Sequence, residues 1–330
     1  MGGLDDPHSL AEVLRSCERV TLENEFVPAE ALFQALRISE REGSCLVPGA
    51  DVLGTVQDKL YQRQALAKHR VPQPEFCALD SPAELDVLAD RLGEAYVIKK
   101  RFGGYDGKGT AFVQGSEGLA EARALVGEWL SQGGVLAEAL VPFQRELAVM
   151  VAVGPQGLAT FPAVETLQTE RVCDLVWTIS PHPEAQRVAS AAIEAVGLAG
   201  LAGVELFETP QGEVLVNEIA PRPHNTGHYT LDWGGPSQFE AHVRCVLGLP
   251  LPKLSGNEAA MANVLGREGA GDWRRAREAA LHSDPEVFFH WYGKREARPG
   301  RKLGHINAVG SRAMERVAEA RARAYAAWTA

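Results

Sequence analysis

The sequence predicts an α/β protein of the α+β kind, with sheets built mainly from antiparallel strands. Two hairpin signals and one succession of strands carry that prediction. The β-rich runs AYVIKKR and GTAFVQG flank a glycine loop containing Asp106-Gly107, a strong hairpin dipeptide. The runs AGVELFE and EVLVNEIA flank the turn TPQG. GVLAEALV, RELAVMVAVG and LATFPAVETL follow one another as three strand candidates.

Taken in order, PAEALFQALRISERE reads as a helix opened by Pro28, where a first-turn proline is tolerated. TVQDKLYQRQALAKH reads as a second helix with Thr55 as its cap. SPAELDVLADRL begins with Ser81 and Glu84 at capping-box spacing. The strands around the glycine loop come next, then the helix SEGLAEARALVGEWL, the three strand candidates, the helix PEAQRVASAAIEAVG and the acidic hairpin. From about Pro250, strands near VFFHWYG and KLGHINAVG precede a closing helix, SRAMERVAEARARAYAAW. There is no repeat and no low-complexity segment.

Composition narrows the function classes. A chain of 330 residues with 45% apolar content can bury a substantial core and suggests two or three domains. A net charge of -10 argues against general nucleic-acid binding, so local basic clusters serve a small anionic ligand instead. No apolar run approaches the roughly 20 residues of a membrane span, and the N-terminus lacks signal-peptide features. Cys17, Cys45, Cys77, Cys173 and Cys245 are odd in number, scattered and never spaced as CxxC. A reduced, cytoplasmic protein without a zinc site is expected.

The loop KKRFGGYDGKGT is the first candidate for chemistry. Gly103, Gly104, Gly107 and Gly109 let backbone amides approach an anion, and Lys99, Lys100, Arg101 and Lys108 could neutralise a polyphosphate. A plain hairpin turn with solvated lysines fits the same residues. The second candidate is the acidic hairpin. With Thr209 to Gly212 as its loop, Glu208 faces Glu213 and Glu205 faces Val216, so Glu205 and Glu218 share a face as diagonal neighbours. Asn217 then points the other way unless the strand is ending. Two carboxylates on one face suit Mg²⁺, which takes one or two carboxylates plus substrate phosphates. An acidic solvent face is the alternative, and a one-residue slip would separate the pair.

These stretches carry a resemblance. TLENEFVP, VIKKRFGGYDGKGT, AEALVPFQRELAVMV, GVELFETPQGEVLVNEIAPRPHNTGHYT, SQFEAHVRCVLGLPL and HWYGKREARPGRKLGH resemble, in order and over nearly the whole chain, the ATP-grasp ligases. Within them the chain is most similar to the 5-(carboxyamino)imidazole ribonucleotide synthase family of purine biosynthesis. The segments GGYDGKG, PRPHNTGH and RPGRKLGH are together specific to that family.

The resemblance implies an ATP-grasp fold and a dimeric, cytoplasmic ligase using ATP with Mg²⁺ or Mn²⁺. It implies that bicarbonate is phosphorylated to carboxyphosphate and that aminoimidazole ribonucleotide captures the carboxyl group. Lys59 and Lys99 would hold ATP phosphates under a loop of Gly104, Tyr105, Asp106, Gly107, Lys108, Gly109 and Thr110. Glu138, Ala139, Leu140 and Val141 would form the adenine hinge, with Glu146 on the ribose and Gln168 at a further ATP contact. Glu205 and Glu218 would hold the metal beside Asn217. Lys294, Arg301, Lys302 and His305 would hold the ribonucleotide, with Glu23 and Glu25. Tyr105, Asp106 and Lys108 would face the imidazole, and Arg222 and His224 the bicarbonate or phosphoryl intermediate, with His228 a weaker candidate.

The implied domains are 1–53, a remnant of an N-terminal Rossmann-like substrate domain, 54–250, the ATP-grasp domain with a lid at about 76–140, and 251–330, a small C-terminal domain. The family's opening strand and GGGQLG-like turn have no counterpart here, so a sheet short of strands is expected. Thr166 and Gln168 stand where the family has Asn-x-His, Lys59 and Lys108 where arginine is common, and Asn24 and Phe26 look exchanged. Two other readings remain: another ATP-grasp ligase, such as the formate-dependent glycinamide ribonucleotide transformylase, and a truncated ATP-binding homologue without activity.

Overall fold

The computed structural model describes residues 2–104, 109–267 and 271–328. Its largest sheet has nine strands, eight of them in the order Val214–Ala220, Gly200–Glu208, Arg145–Gly154, Val164–Thr169, Val172–Thr178, Ala259–Leu265, Lys302–Val309, Phe288–Trp291. The ninth, Gly157–Thr160, pairs with Arg145–Gly154, and every pairing is antiparallel. Arg145–Gly154 shows why a near-continuous apolar run belongs at the centre. Leu147, Val149 and Val151 enter the core on one face, while Ala148, Met150 and Ala152 enter the other.

Helix Pro183–Val196 covers the first face with Ala185, Val188, Ala189, Ala192, Ile193 and Val196, a helical stripe. The His182 ring caps its start through the Ala185 amide at 3.1 Å. Helix Gln238–Leu247 covers the second face with Ala241 and Cys245. A separate four-stranded sheet has the order Phe76–Leu79, Val135–Ala139, Ala95–Lys100, Thr110–Gln114 and its own core under helix Gly115–Ser131. The N-terminal segment has one parallel pair, Val20–Thr21 with Leu46–Val47, along with helices Pro7–Ser16 and Ala29–Ser39.

The structure departs from the sequence reading in several places. The helix expected behind Thr55 is two helices, Ala50–Gln57 and Lys59–Lys68, and the cap is Asp58, whose carboxylate accepts the Leu60 and Tyr61 amides. Ser81 makes no side-chain cap, because Pro82–Val87 is a 3₁₀ turn and Glu84 instead takes the Asp80 amide. LATFPAVETL is two strands broken at Phe161 to Ala163. The strands Val172–Thr178 and Ala259–Leu265 and the helices Pro7–Ser16, Gln238–Leu247 and Trp273–Ser283 went unread. Ala259–Leu265 is AAMANVL, whose alanines favour helices. It is a strand because both of its faces are buried, and helix Ala313–Trp328 packs close against it. The segment after 250 has its own core, yet its strands hydrogen-bond into the main sheet through Leu175, Val176 and Trp177 opposite Ala262, Met261 and Ala260.

Candidate active site

The lid sheet, the main sheet and the N-terminal segment meet around one cleft of about 2020 Å³. Lys59, Lys99, Gly104, Thr110, Glu138, Ala139, Leu140, Val141, Glu146, Gln168, Glu205, Asn217, Glu218, Arg222 and His224 line it. So do Glu23, Glu25, His228, Lys294, Lys302 and His305. Tyr105, Asp106, Gly107 and Lys108 lie outside the described residues, and Gly109 accepts the Lys100 amide at 2.8 Å beside them.

The acidic hairpin differs in register from the expectation. The Thr209 hydroxyl takes the Glu213 amide, which lengthens the loop so that Glu208 pairs with Val214. A bulge follows: Leu206 pairs with Val216, but Glu205 pairs with Glu218, leaving Asn217 as the extra residue. Two one-residue slips preserve the face, so Glu218 moves from the diagonal to directly opposite Glu205. The bulge also turns Asn217 into the cleft, correcting the expectation that it points away.

The charges around this pair are unequal. Burial, then Glu218 and Glu146, pushes the Glu205 carboxyl up to about 7. Burial is the largest single influence on Glu218 too, but the Lys59 ammonium, in contact with it, acting with Lys99 and Arg63, outweighs burial and holds it below the usual range. Glu218 is still 45% exposed, so it is open to the cleft. Burial also raises Glu146, to about 7. Among the described residues no three or more His, Cys, Asp or Glu side chains gather into a metal cage. The donor set nevertheless fits Mg²⁺, since two facing carboxylates leave positions for phosphate oxygens and water.

Asp58 positions the cationic end. It caps the helix that starts at Lys59 and takes the Arg101 guanidinium bidentately, while the Lys59 amide donates to the Arg101 carbonyl at 3.0 Å. Arg101 is thus turned away from an anion, as is Lys100, which bonds Gln132 at 2.6 Å and lies over Trp129. Of the loop's four predicted cations, Lys99 is the described one that faces the cleft. Its ammonium sits 2.7 Å from Glu138 and 3.5 Å from Asn217.

Glu138 does not offer its carboxylate to a ligand. Burial alone would raise it, but Arg63 and Lys99 hold it well below the carboxylate range. Lys99 is held less firmly: burial, Arg63 and Lys59 bring it down against the single anion Glu138. Near Glu138 the cleft lining therefore offers backbone and apolar surface, with Val97, Leu140, Phe207 and Ile219 among it. Arg171 lies over Phe112 at 5.1 Å and links the main sheet to the lid.

At the other end Arg222 grips Glu25 bidentately. His224 packs flat against the main sheet, and Gly203 makes that possible: a Cβ there would fall 2.6 Å from the His224 Cβ. The His224 Nδ1 meets Thr226 Oγ1 at 2.8 Å, and Nε2 lies 3.7 Å from Glu205. Burial, helped by Arg222 and Lys302, brings its pKa well down, so the ring is neutral. His228 stacks on His305 at 5.1 Å, and Tyr292 bonds His305 Nδ1 at 2.8 Å. Burial brings His228 down to about 4 and His305 to about 2, so His305 adds no positive charge for a phosphate. Arg301 also departs from its expected place. It lies on an exposed turn outside the cleft lining, donating to the Glu296 carbonyl at 3.1 Å.

Sequence reasoning missed Arg63, Tyr292, Thr226 and Gln238, whose side-chain amide takes the His224 amide at 2.9 Å and meets His228 Nδ1 at 2.8 Å. The available signal for Tyr292 was its place two residues before Lys294; nothing local marked Arg63.

Comparison with known proteins bears on the family and the fold. Residues 64–239 match the ATP-grasp domain, and residues 259–320 match the phosphoribosylaminoimidazole carboxylase C-terminal domain. The N5-carboxyaminoimidazole ribonucleotide synthase of Synechococcus elongatus is 39% identical over 317 residues, covering 93% of this chain and 77% of that protein. The chain belongs to the N5-carboxyaminoimidazole ribonucleotide synthase family. A phosphoribosylaminoimidazole carboxylase of Ogataea methanolica is 36% identical over 93% of this chain, which spans 58% of that longer relative. The solved Aspergillus clavatus carboxyaminoimidazole ribonucleotide synthase complexed with ATP superposes with a TM-score of 0.87 at 31% identity, over 99% of this chain and 87% of that one. The same fungal enzyme in complex with ADP and 5-aminoimidazole ribonucleotide gives 0.86 at 30% identity, over 99% and 85%. The expected fold and family are borne out, and the match past residue 258 sets aside a different ATP-grasp ligase.

Proposed function

We propose that this chain carboxylates the exocyclic amine of 5-aminoimidazole ribonucleotide at the expense of ATP and bicarbonate, giving N5-carboxyaminoimidazole ribonucleotide. A bicarbonate oxygen attacks the γ-phosphorus and ADP leaves. The amine then takes the carboxyl carbon of carboxyphosphate, or the carbon dioxide it releases, and phosphate departs. One observation carries the reading: Lys59, Lys99, the facing Glu205 and Glu218, Arg222, His224, Lys294 and Lys302 all line a single cleft.

Lys59 and Lys99 bind phosphate oxygens, the hinge Ala139 to Val141 holds the base, and Glu146 accepts ribose hydroxyls. Glu205, Glu218 and Asn217 would hold Mg²⁺, or Mn²⁺, which neutralises charge developing on the transferred phosphoryl group. Arg222, kept in place by Glu25, and neutral His224 orient bicarbonate and its phosphorylated form. Lys294 and Lys302 face the ribonucleotide's 5'-phosphate, with Arg301 at the edge, close enough to lower the Lys294 pKa alongside burial. Tyr105, Asp106 and Lys108 cover the imidazole by family resemblance alone. A cytoplasmic homodimer completes the reading, supported by five unpaired cysteines and by the family's habit.

The test is ADP formation measured with each substrate withheld in turn. Turnover should require ATP, bicarbonate and aminoimidazole ribonucleotide together. Losing one charge-assisted hydrogen bond costs about 1.5 to 3 kcal/mol, so Lys294→Ala should raise KM for the ribonucleotide roughly 10-fold to 150-fold and leave KM for ATP alone. A wild type unresponsive to the ribonucleotide would instead identify an ATP-binding homologue without this activity.

A further inference from the structure

We propose that Arg63 is a positioning residue that holds the bulge at Asn217, and with it the spacing of Glu205 and Glu218 on which the metal depends. The inference rests on the assignment of those two carboxylates to Mg²⁺.

Arg63 lies one helical turn beyond Lys59 and is 2% exposed. Each guanidinium nitrogen is engaged. Nε donates to Glu138 at 2.7 Å, Nη1 to the Val216 carbonyl at 2.8 Å and to Gln73 at 3.4 Å, and Nη2 to the Asn217 carbonyl at 2.7 Å. The two carbonyls are consecutive. In a regular strand consecutive carbonyls point to opposite edges, so one would turn toward Gly200–Glu208 and the other outward. Here both turn outward, because Asn217 is the extra residue of the bulge.

Val214–Ala220 is the edge strand of its sheet, so no further strand offers donors on that side. Pro72 takes the Val216 amide at 2.9 Å, and the two carbonyls go to the Arg63 fork. A planar guanidinium with parallel N–H groups matches two neighbouring oxygens, whereas an ammonium is a point charge. If the bulge relaxed to regular pairing, Glu218 would rotate to the opposite face and leave Glu205 without its partner. Through Nε the same side chain fixes Glu138, which in turn holds Lys99 at 2.7 Å. One buried arginine thereby ties the carboxylate pair and a phosphate-facing lysine to the helix that presents Lys59.

Arg63→Lys keeps the charge beside Glu138 and removes the fork. The readout is Mn²⁺ affinity by electron paramagnetic resonance in the presence of a non-hydrolysable ATP analogue, with near-ultraviolet circular dichroism to confirm the fold. Binding should weaken by about tenfold or more, the loss typical of removing a partner that orients a metal ligand. A role confined to stability would lower the melting temperature and leave the folded protein's affinity unchanged. Wild-type Mn²⁺ affinity in folded Arg63→Lys overturns the proposal. If that variant does not fold, Gln73→Leu decides, since it removes only the side chain that braces Nη1 and the Arg63 carbonyl. Measurably weaker Mn²⁺ binding supports the proposal, and unchanged binding overturns it. Glu205→Gln and Glu218→Gln are titrated alongside. If both weaken Mn²⁺ binding and Arg63→Lys does not, this inference alone fails; if neither does, the metal assignment falls and takes it along.

Discussion

Lowering the pH from 8 to 6 should weaken the proposed metal site through Glu205. Burial, then Glu218 and Glu146, holds this carboxyl at about 7, while Glu218 is kept below the usual range once the lysines outweigh its burial. A ligand must be ionised to coordinate, so proton and metal compete at Glu205 over this window and not at Glu218. For a group titrating at about 7 the carboxylate share falls from about nine-tenths at pH 8 to about one-tenth at pH 6. Apparent affinity should therefore drop about tenfold, roughly 1.4 kcal/mol. The assay is the Mn²⁺ titration with a non-hydrolysable ATP analogue at both pH values, in wild type and in Glu205→Gln. The variant should bind weakly at pH 8 and lack that slope. Titration of the nucleotide's own phosphates is common to both proteins, so the difference between their slopes isolates Glu205. Equal slopes in the two proteins, or a flat wild-type profile, would refute the argument.

Gly203→Ala should displace the His224 ring, because the new Cβ would fall 2.6 Å from the His224 Cβ and 2.8 Å from its Cγ. Overpacking of this kind costs about 1 to 3 kcal/mol, and adding His224→Gly should restore the melting temperature without restoring turnover; an unchanged melting temperature in the single variant would contradict the packing. Acid should destabilise the fold early. Burial lowers the folded pKa values of His224, His228 and His305, so stability is greatest above about pH 6.5 and falls below it as each ring resists protonation, down to about pH 4 for His228 and about 2 for His305, at about 1.4 kcal/mol per unit per histidine. Melting temperatures between pH 7.5 and 5.5 check this, and His228→Gln should flatten the curve; a curve that is already flat in the wild type would show that these rings are not held neutral.

What the sequence made legible was what depends on side-chain identity and period. Glu205, Glu218 and Lys99 were nameable on that ground, Lys59, Arg222 and His224 only through the family resemblance, and all six line one cleft. What it hid depends on where the backbone leaves its period. A capping aspartate splits the helix read as one after Thr55, and a hydroxyl lengthens the hairpin loop by one residue. A bulge then adds a second slip, and only because the two slips sum to an even number does the same-face argument survive for the right pair of carboxylates. The bulge has no local signature, since Val216 and Asn217 lie inside the strand Val214–Ala220 and the donor that meets their carbonyls lies on a helix far away in sequence. The same holds for the basic residues. Of Lys99, Lys100 and Arg101, adjacent in sequence, one faces the cleft, one lies over Trp129 and one is bound by Asp58. Composition gave the loop its charge, but the partners waiting on three different elements decide which cation can meet a phosphate.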